Sequence, residues 1–310
     1  MSDSPRDLPP ALAISGLVKA YDGRTVVDAL DLVAPRGAVT AVLGPNGAGK
    51  TTTLEISEGL RTADAGTVEV LGRPPRHPAL RSRVGVMLQD GGVYGSVTVG
   101  EALAHAASLY GEPQPVDALI ESLGLGEVAS VASRRLSGGQ RQRLGVALAI
   151  VGRPELVFLD EPTAGLDPQS RRAVWDLIAA LRSAGVSVVL TTHYLEEAEH
   201  LADHVVIVDR GCTIASGRPS DLVSNSTGVL RFTAAPGLDV ERLRQLMPAS
   251  STVVESAPGT YVVTTAHLTE AMGQVSAWCT ELGVIPTSLS SETRTLEDVF
   301  LDLTGEELRP

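Results

Sequence analysis

Lysine is nearly missing from this chain: of 25 basic residues 23 are arginine, and only Lys19 and Lys50 are lysine, so each lysine merits individual inspection. Positive charge as a whole is short. With 37 acidic residues the formal net charge is −12, which argues against general nucleic-acid or anionic-membrane binding unless a local basic patch opposes the average. Cysteine is scarce too. Cys212 and Cys279 stand far apart in no metal-ligand spacing, so no disulfide framework is available, and two free, buried thiols in a reducing compartment are expected. Long apolar runs are absent: the best, Leu144 to Val151, falls far short of the ~18 residues a membrane-spanning helix needs. The opening MSDSPRDLPP has no basic stretch followed by an apolar one, so no secretory signal is expected. The chain reads as soluble, with any membrane role exercised through a partner.

What is present is an ordinary globular balance, 43% hydrophobic and 20% charged over 310 residues, enough for one large domain or two smaller ones. The first ten residues are polar and proline-rich and read as unstructured. Strand-like runs follow at Ala11–Val18, Thr25–Val33 and Ala38–Leu43, the last leading into a glycine-rich loop. Another, Leu156–Leu159, ends in Asp160 and Glu161. A helix comes next, with Asp167 as cap, Pro168 at its first position and Gly185 at its exit. Val174, Leu177, Ile178 and Leu181 have the spacing of one buried face. With the strand Val186–Leu190 after it, this alternation predicts an α/β fold with a mainly parallel sheet. Between Gln89 and Pro154 the periodicity is helical, which predicts an inserted helical subdomain. Beyond Gly217, the stretch SNSTG at 224–228 reads as a linker. The remainder predicts a strand-helix-strand-strand-helix-strand unit of ferredoxin-like order, closed by a further helix, with Ala257-Pro258-Gly259 turning its middle hairpin.

The segment Gly44-Pro45-Asn46-Gly47-Ala48-Gly49-Lys50-Thr51 matches G-x-x-x-x-G-K-[ST] without a gap, and Thr52 follows it. Glycines let backbone N–H groups approach a polyphosphate, and the helix starting near Lys50 aims its positive end at the same anion. Lys50, one of the two lysines, would bridge the β- and γ-phosphates, and Thr51 would offer its hydroxyl to Mg²⁺. This predicts binding of a nucleoside triphosphate. In LVFLDE, 156–161, an apolar strand delivers two adjacent carboxylates. Strand alternation sends them opposite ways, so Asp160 can hold the metal while Glu161 takes a proton from the attacking water.

Leu136–Gln140 reads LSGGQ. Together with RQRLGVALAI and LVFLDEPTAGLD it resembles the nucleotide-binding subunit of ATP-binding-cassette (ABC) proteins over about Ala11 to Gly217. The resemblance implies a P-loop NTPase cassette with antiparallel strands at its N-terminal side, an ATP-binding domain over 11–226 with its helical subdomain at about 90–154, and a C-terminal accessory or regulatory domain over 227–310. It implies ATP hydrolysis with Mg²⁺. Ser137, Gly138, Gly139 and Gln140 would form an anion site facing the γ-phosphate held by a second copy, in a head-to-tail homodimer. Tyr21 resembles the aromatic that stacks on adenine. Gln89 resembles the glutamine that touches the metal and the attacking water, and His193 the histidine that bonds the γ-phosphate. Asp167 resembles an aspartate that communicates across the dimer, besides capping its helix. His105 and His200 read as surface residues.

LEDVFLDLTG, Leu296 to Gly305, resembles the exporter branch that includes daunorubicin-resistance-type ATPases, which act with a separate transmembrane permease on amphipathic cargo. Leu296, Val299, Phe300 and Leu303 also fall at helical spacing for packing. The resemblance places the chain at the cytoplasmic face of the cell membrane, with no nucleic-acid partner. A translation or ribosome factor usually carries two cassettes and basic linkers. A DNA-repair cassette would need a long coiled coil between Lys50 and Ser137, and a purely regulatory module would not need Glu161 and His193. Import in place of export stays open, since direction rests on the C-terminal resemblance alone.

Overall fold

In the computed structural model, residues 8–87, 95–224, 228–292 and 295–305 are described. The chain divides into two compact units, one reaching to Pro219 and the other spanning Ser220–Gly305. Residues 1–7, Gln89 and the centre of the expected linker, 225–227, lie outside the described residues.

The first unit opens on alternation. In β1 (Leu12–Tyr21) and β2 (Arg24–Ala34), Leu12, Ile14, Leu17, Val27, Leu30 and Leu32 are buried. β3 (Val39–Leu43) is buried at every position, the pattern of a parallel strand covered on both faces. It runs through the glycine-rich loop into α1 (Lys50–Ser57). β4 (Ala65–Val70) then returns to β1, completing an antiparallel sheet of order β2-β1-β4.

After β5 (Val84–Met87) come the helices expected from the change in periodicity. α2 (Val99–Ala107) begins with a capping box: Thr98 Oγ1 accepts from the Glu101 N–H at 3.3 Å, and Glu101 Oε2 accepts from the Thr98 N–H at 2.9 Å. α3 (Val116–Ser122) and α4 (Gly138–Ile150) follow, and α4 contains most of the apolar run Leu144–Val151. Its backbone presses on the sheet: a Cβ on Gly85 would stand 1.9 Å from the Ala149 carbonyl oxygen, so only glycine lets α4 sit this close to β5.

The main sheet is completed by β6 (Leu156–Asp160), β7 (Ser187–Thr192), β8 (His204–Asp209) and β9 (Cys212–Gly217), with α5 (Pro168–Ser183) and α6 (Leu195–Leu201) between them. The strand order is β5-β6-β7-β3-β8-β9, and every neighbour is parallel except β8 and β9. The register brings Leu43 opposite Thr192 and Asp160 opposite Thr191, so β3, β6 and β7 end at one level. Ligands of open α/β sheets bind at such carboxyl ends. Phe158, Val189 and Val206 share one core with Leu17 and Leu30 of the antiparallel sheet and Leu54 of α1. Each such buried side chain contributes about 1.5–3 kcal/mol.

In α5 the Asp167 carboxylate accepts from the N–H groups of Gln169 and Ser170 at 3.0 and 2.9 Å, and Pro168 occupies the first position. Val174 and Ile178 are buried, but Leu177 and Leu181 are only partly so. Trp175, which the spacing passes over, is buried instead because it turns toward α6. The thiols also differ from expectation. Cys279 is buried, whereas Cys212 is partly exposed at the start of the antiparallel edge strand β9.

α7 (Pro219–Ser224) begins at the division between the units. The second unit is built from β10 (Gly228–Thr233), α8 (Val240–Leu246), β11 (Thr252–Ala257), β12 (Thr260–Thr265), α9 (Leu268–Glu281), β13 (Ser288–Glu292) and α10 (Leu296–Thr304). Its sheet is antiparallel throughout, in the order β11-β12-β10-β13. Such an order follows when two βαβ halves interleave, as in a ferredoxin-like unit. Leu230, Phe232, Tyr261 and Val263 meet Leu243, Val275 and Trp278 in a core of its own, with Phe232 stacked on Tyr261 at 4.9 Å. α10 buries Leu296, Val299 and Phe300, but Leu303 is 44% exposed in the last turn before the left-handed Gly305 cap.

Candidate functional site

The loop Gly44–Gly49 leaves the carboxyl end of β3 and feeds α1. Its glycines are required by close approach. A Cβ on Gly44 would lie 2.2 Å from the Val208 carbonyl oxygen, and one on Gly49, at φ 99°, 2.8 Å from that of Val26. Ala48 is buried, while Asn46 and Gly47 are exposed along the loop. Lys50 is 6% exposed, and its ammonium donates to the Gly44 and Pro45 carbonyls at 2.7 and 3.0 Å. Burial pushes its pKa down, and the neighbouring Glu161 and Asp160 carboxylates work the other way. A buried cation ringed by its own loop's carbonyls can exchange them for phosphate oxygens.

Asp160 closes β6, and its Oδ1 stands 3.5 Å from the Thr51 hydroxyl and accepts from that of Thr191. Burial raises its pKa most. Thr191 and Thr51 oppose this by hydrogen bonding, Lys50 opposes it by charge, and the charge of Glu161 adds to the rise. Thr191 Oγ1 also accepts from the Glu161 N–H at 3.0 Å. Strand alternation does not separate the two carboxylates as expected. Glu161 lies beyond the strand in the left-handed region, φ 47°, so alternation no longer sets its direction, and the charges of both acids act on Lys50. Such a backbone costs about 1–2 kcal/mol in an L-residue. Glu161 Oε1 is 3.4 Å from His193 Nδ1, just past the end of β7.

Two chambers meet along the loop. The smaller, about 280 Å³, is walled by Gly49, Lys50, Thr51, Thr52 and Glu161. The larger, about 520 Å³, is walled by Arg24, Thr25, Pro45, Ala48, Asp209 and Arg210, and Val26, Asn46 and Gly47 line both. Arg24, Val26, Arg210 and Thr191 were not singled out from the sequence. Only Thr191 carries a signal there, as a hydroxyl closing an aliphatic strand. Tyr21 lines neither chamber. Its ring lies between the Lys19 ammonium and the Arg61 guanidinium, 5.3 and 5.4 Å from its centroid, and its hydroxyl is buried.

Ser137–Gln140 form the start of α4. Ser137 Oγ accepts from the Gln140 N–H at 3.2 Å, and Gln140 Oε1 accepts from the Ser137 N–H at 2.9 Å. The N–H groups of Gly138 and Gly139 head the helix, where backbone donors and the helix dipole favour an anion. These side-chain bonds stay within the capping box, apart from the Lys50–His193 cluster. His105 is exposed, as is His200, which stacks on Trp175 at 4.9 Å. Thr51 and Asp160 supply hard oxygen donors beside a phosphate loop. That donor set suits Mg²⁺, which takes one or two protein oxygens and completes its shell with phosphate and water.

The family model described as ABC transporter matches residues 27–164. The chain is 37% identical to a Nod factor export ATP-binding protein I of Ralstonia nicotianae, over 97% of this chain and 95% of that protein. It is 38% identical to a daunorubicin/doxorubicin resistance ATP-binding protein of Streptomyces peucetius, over 95% and 92%. Among solved structures, an ATP-binding subunit of an ABC transporter superposes with a TM-score of 0.64 at 27% identity, over 69% of this chain and 92% of that one.

Proposed function

Since the chain belongs to the ABC transporter family and is an ATPase of that family, we propose that it is the motor subunit of an exporter, driving a drug-like or otherwise amphipathic molecule through a separate transmembrane permease. Among the described residues no helix is long and apolar enough to cross a membrane, so passage of cargo falls to the partner. The permease would hold the chain at the cytoplasmic face of the cell membrane. A net charge of −12 gives no support to a nucleic-acid partner.

The observation that carries this reading is the convergence of Lys50, Thr51, Asp160, Glu161 and His193 at the carboxyl ends of three adjacent strands. Lys50 leaves the Gly44 and Pro45 carbonyls for the β- and γ-phosphates. Gly44 to Thr52 surround the triphosphate, and the nucleoside side extends toward Tyr21. Thr51, Asp160 and Gln89 would hold Mg²⁺, which when bound would neutralise charge on the phosphates. Glu161 accepts the proton of the attacking water, and His193 bonds the γ-phosphate. In a head-to-tail homodimer, Ser137, the Gly138 and Gly139 N–H groups and Gln140 would cover the γ-phosphate held by the other copy. Residues 227–310 act as an accessory unit that stabilises or regulates the pair without taking part in the chemistry.

Titration calorimetry with Mg·ATP should register binding that Lys50→Ala weakens sharply. Glu161→Gln should still bind while its turnover falls about 10²–10⁴-fold. Absence of heat with the wild-type chain overturns the reading, and wild-type hydrolysis by Glu161→Gln overturns the base assignment.

A further inference from the structure

Behind His193, α5 and α6 meet through side chains that the chemistry above does not use. Glu197 is wholly buried, and its Oε1 accepts from the Trp175 indole N–H at 3.0 Å. Its Oε2 is buried, as are the Thr163 hydroxyl and the Arg171 Nε nearby. The Arg171 guanidinium lies over the Tyr194 ring, 4.3 Å from its centroid, and the Tyr194 ring is 4.1 Å from that of His193. The Tyr194 N–H also donates to Thr192 Oγ1 at 2.9 Å.

Burying a carboxyl group is costly even where it is hydrogen-bonded, and an apolar side chain would fill the same space without that cost. Burial raises the Glu197 pKa, while the hydroxyls of Thr192 and Thr163, the Trp175 indole and the Arg171 charge act in the opposite direction. These neighbours come from the turn after Glu161, from the end of β7 and from α5. One group therefore touches the supports of both Glu161 and His193. Arg171 and Trp175 are one turn apart on the helix that Asp167 caps, so they present a single face to Tyr194 and Glu197.

We infer that Glu197 is a positioning residue: with Trp175 and Arg171 it latches the His193 loop to α5 and to the Thr163 turn, setting His193 against Glu161. The inference rests on the roles proposed for those two residues.

The test compares steady-state ATP hydrolysis by the full chain carrying Glu197→Ala, Glu197→Gln, His193→Ala and the double variant His193→Ala/Glu197→Ala. Glu197→Ala should lower kcat by at least about tenfold with KM within about twofold, since the interaction matters in the transition state and not in ATP binding. Glu197→Gln, which keeps an acceptor for Trp175, should recover most of that loss. The double variant should be no slower than His193→Ala alone, because a residue acting through His193 has nothing left to position. Multiplicative slowing in the double variant, or full kcat in Glu197→Ala, overturns the inference. Where Glu197→Ala fails to fold, Trp175→Phe, which keeps the ring and removes the N–H donor, carries the same comparison with and without His193→Ala. Glu161→Gln run alongside separates the two claims. Its continued turnover would undo the base assignment, whereas a dead Glu161→Gln beside a normal Glu197→Ala would undo the latch alone.

Discussion

Replacing Glu58 by glutamine should abolish a large pH-dependent loss of stability in the first unit. Glu58 caps the C-terminal end of α1, where the helix dipole already disfavours negative charge. It is only partly exposed, and it faces a cavity of about 540 Å³ whose other walls include Arg76, His77, Leu80 and Arg81. The Arg76 Nε there donates to the Gly59 carbonyl at 3.0 Å. Burial, then the charges of Asp160 and Glu55, push the Glu58 pKa from 4.5 up to about 8. The native state thus keeps a proton that the unfolded chain releases. Its stabilising effect is complete below pH 4.5 and is lost as pH rises toward about 8. Between roughly pH 5 and pH 8.5 the wild type should lose up to about 4 kcal/mol relative to Glu58→Gln. At about 2–4 °C per kcal/mol for a unit of this size, the gap in Tm should widen by roughly 8–16 °C. Calorimetric scans of both proteins across that range read the gap directly, and other titrating groups cancel in the difference. Parallel Tm–pH curves would refute the reasoning, showing that the Glu58 carboxyl ionises in the native state as it does in water.

Gly44→Ala must push its Cβ away from the Val208 carbonyl, so it should displace the loop. Nucleotide binding should fall below detection by calorimetry in a protein whose circular dichroism is unchanged. Asp167→Ala should lower the Tm by removing the α5 cap. The Ser170 hydroxyl and N–H, then the Gln169 N–H, hold the Asp167 pKa below its usual range. Its contribution is therefore present above the unfolded carboxylate pKa and lost as pH falls, and the Tm gap to wild type should close in acid. A gap that persists unchanged would contradict the cap. Thr191→Val should cost more turnover than Thr191→Ser, since only serine keeps the hydroxyl shared by Asp160 and the Glu161 N–H. Equal kcat values would dismiss that role.

The glycine-rich loop between β3 and α1 was legible because Gly44 and Gly49 have no substitutes: Val208 and Val26 carbonyls occupy the space a side chain would need. The helix at Pro168 was legible from its cap, its proline and its spacing, all local signals. The ferredoxin-like order of the second unit was visible because β12 alternates strictly and Gly259 sits in the turn of the middle hairpin. What stayed hidden depends on tertiary context. No local signal announces a positive φ at Glu161, so the alternation rule placed the two acids on opposite sides. Trp175 and Glu197 find each other across two helices, and spacing along one helix reads only one of its faces. Cys212 and Leu303 looked like core by residue type but sit at an edge strand and a final helical turn, where burial is incomplete.

A single oxygen atom links the two acids at the end of β6. Thr191 Oγ1 spends its one proton on Asp160 and offers a lone pair to the Glu161 amide, and β7 places it opposite Asp160 in the ladder. The hydroxyl has no freedom to serve one without the other. Slippage of β7 by one rung would therefore release both carboxylates together, so the two acids are assembled or dispersed as one piece.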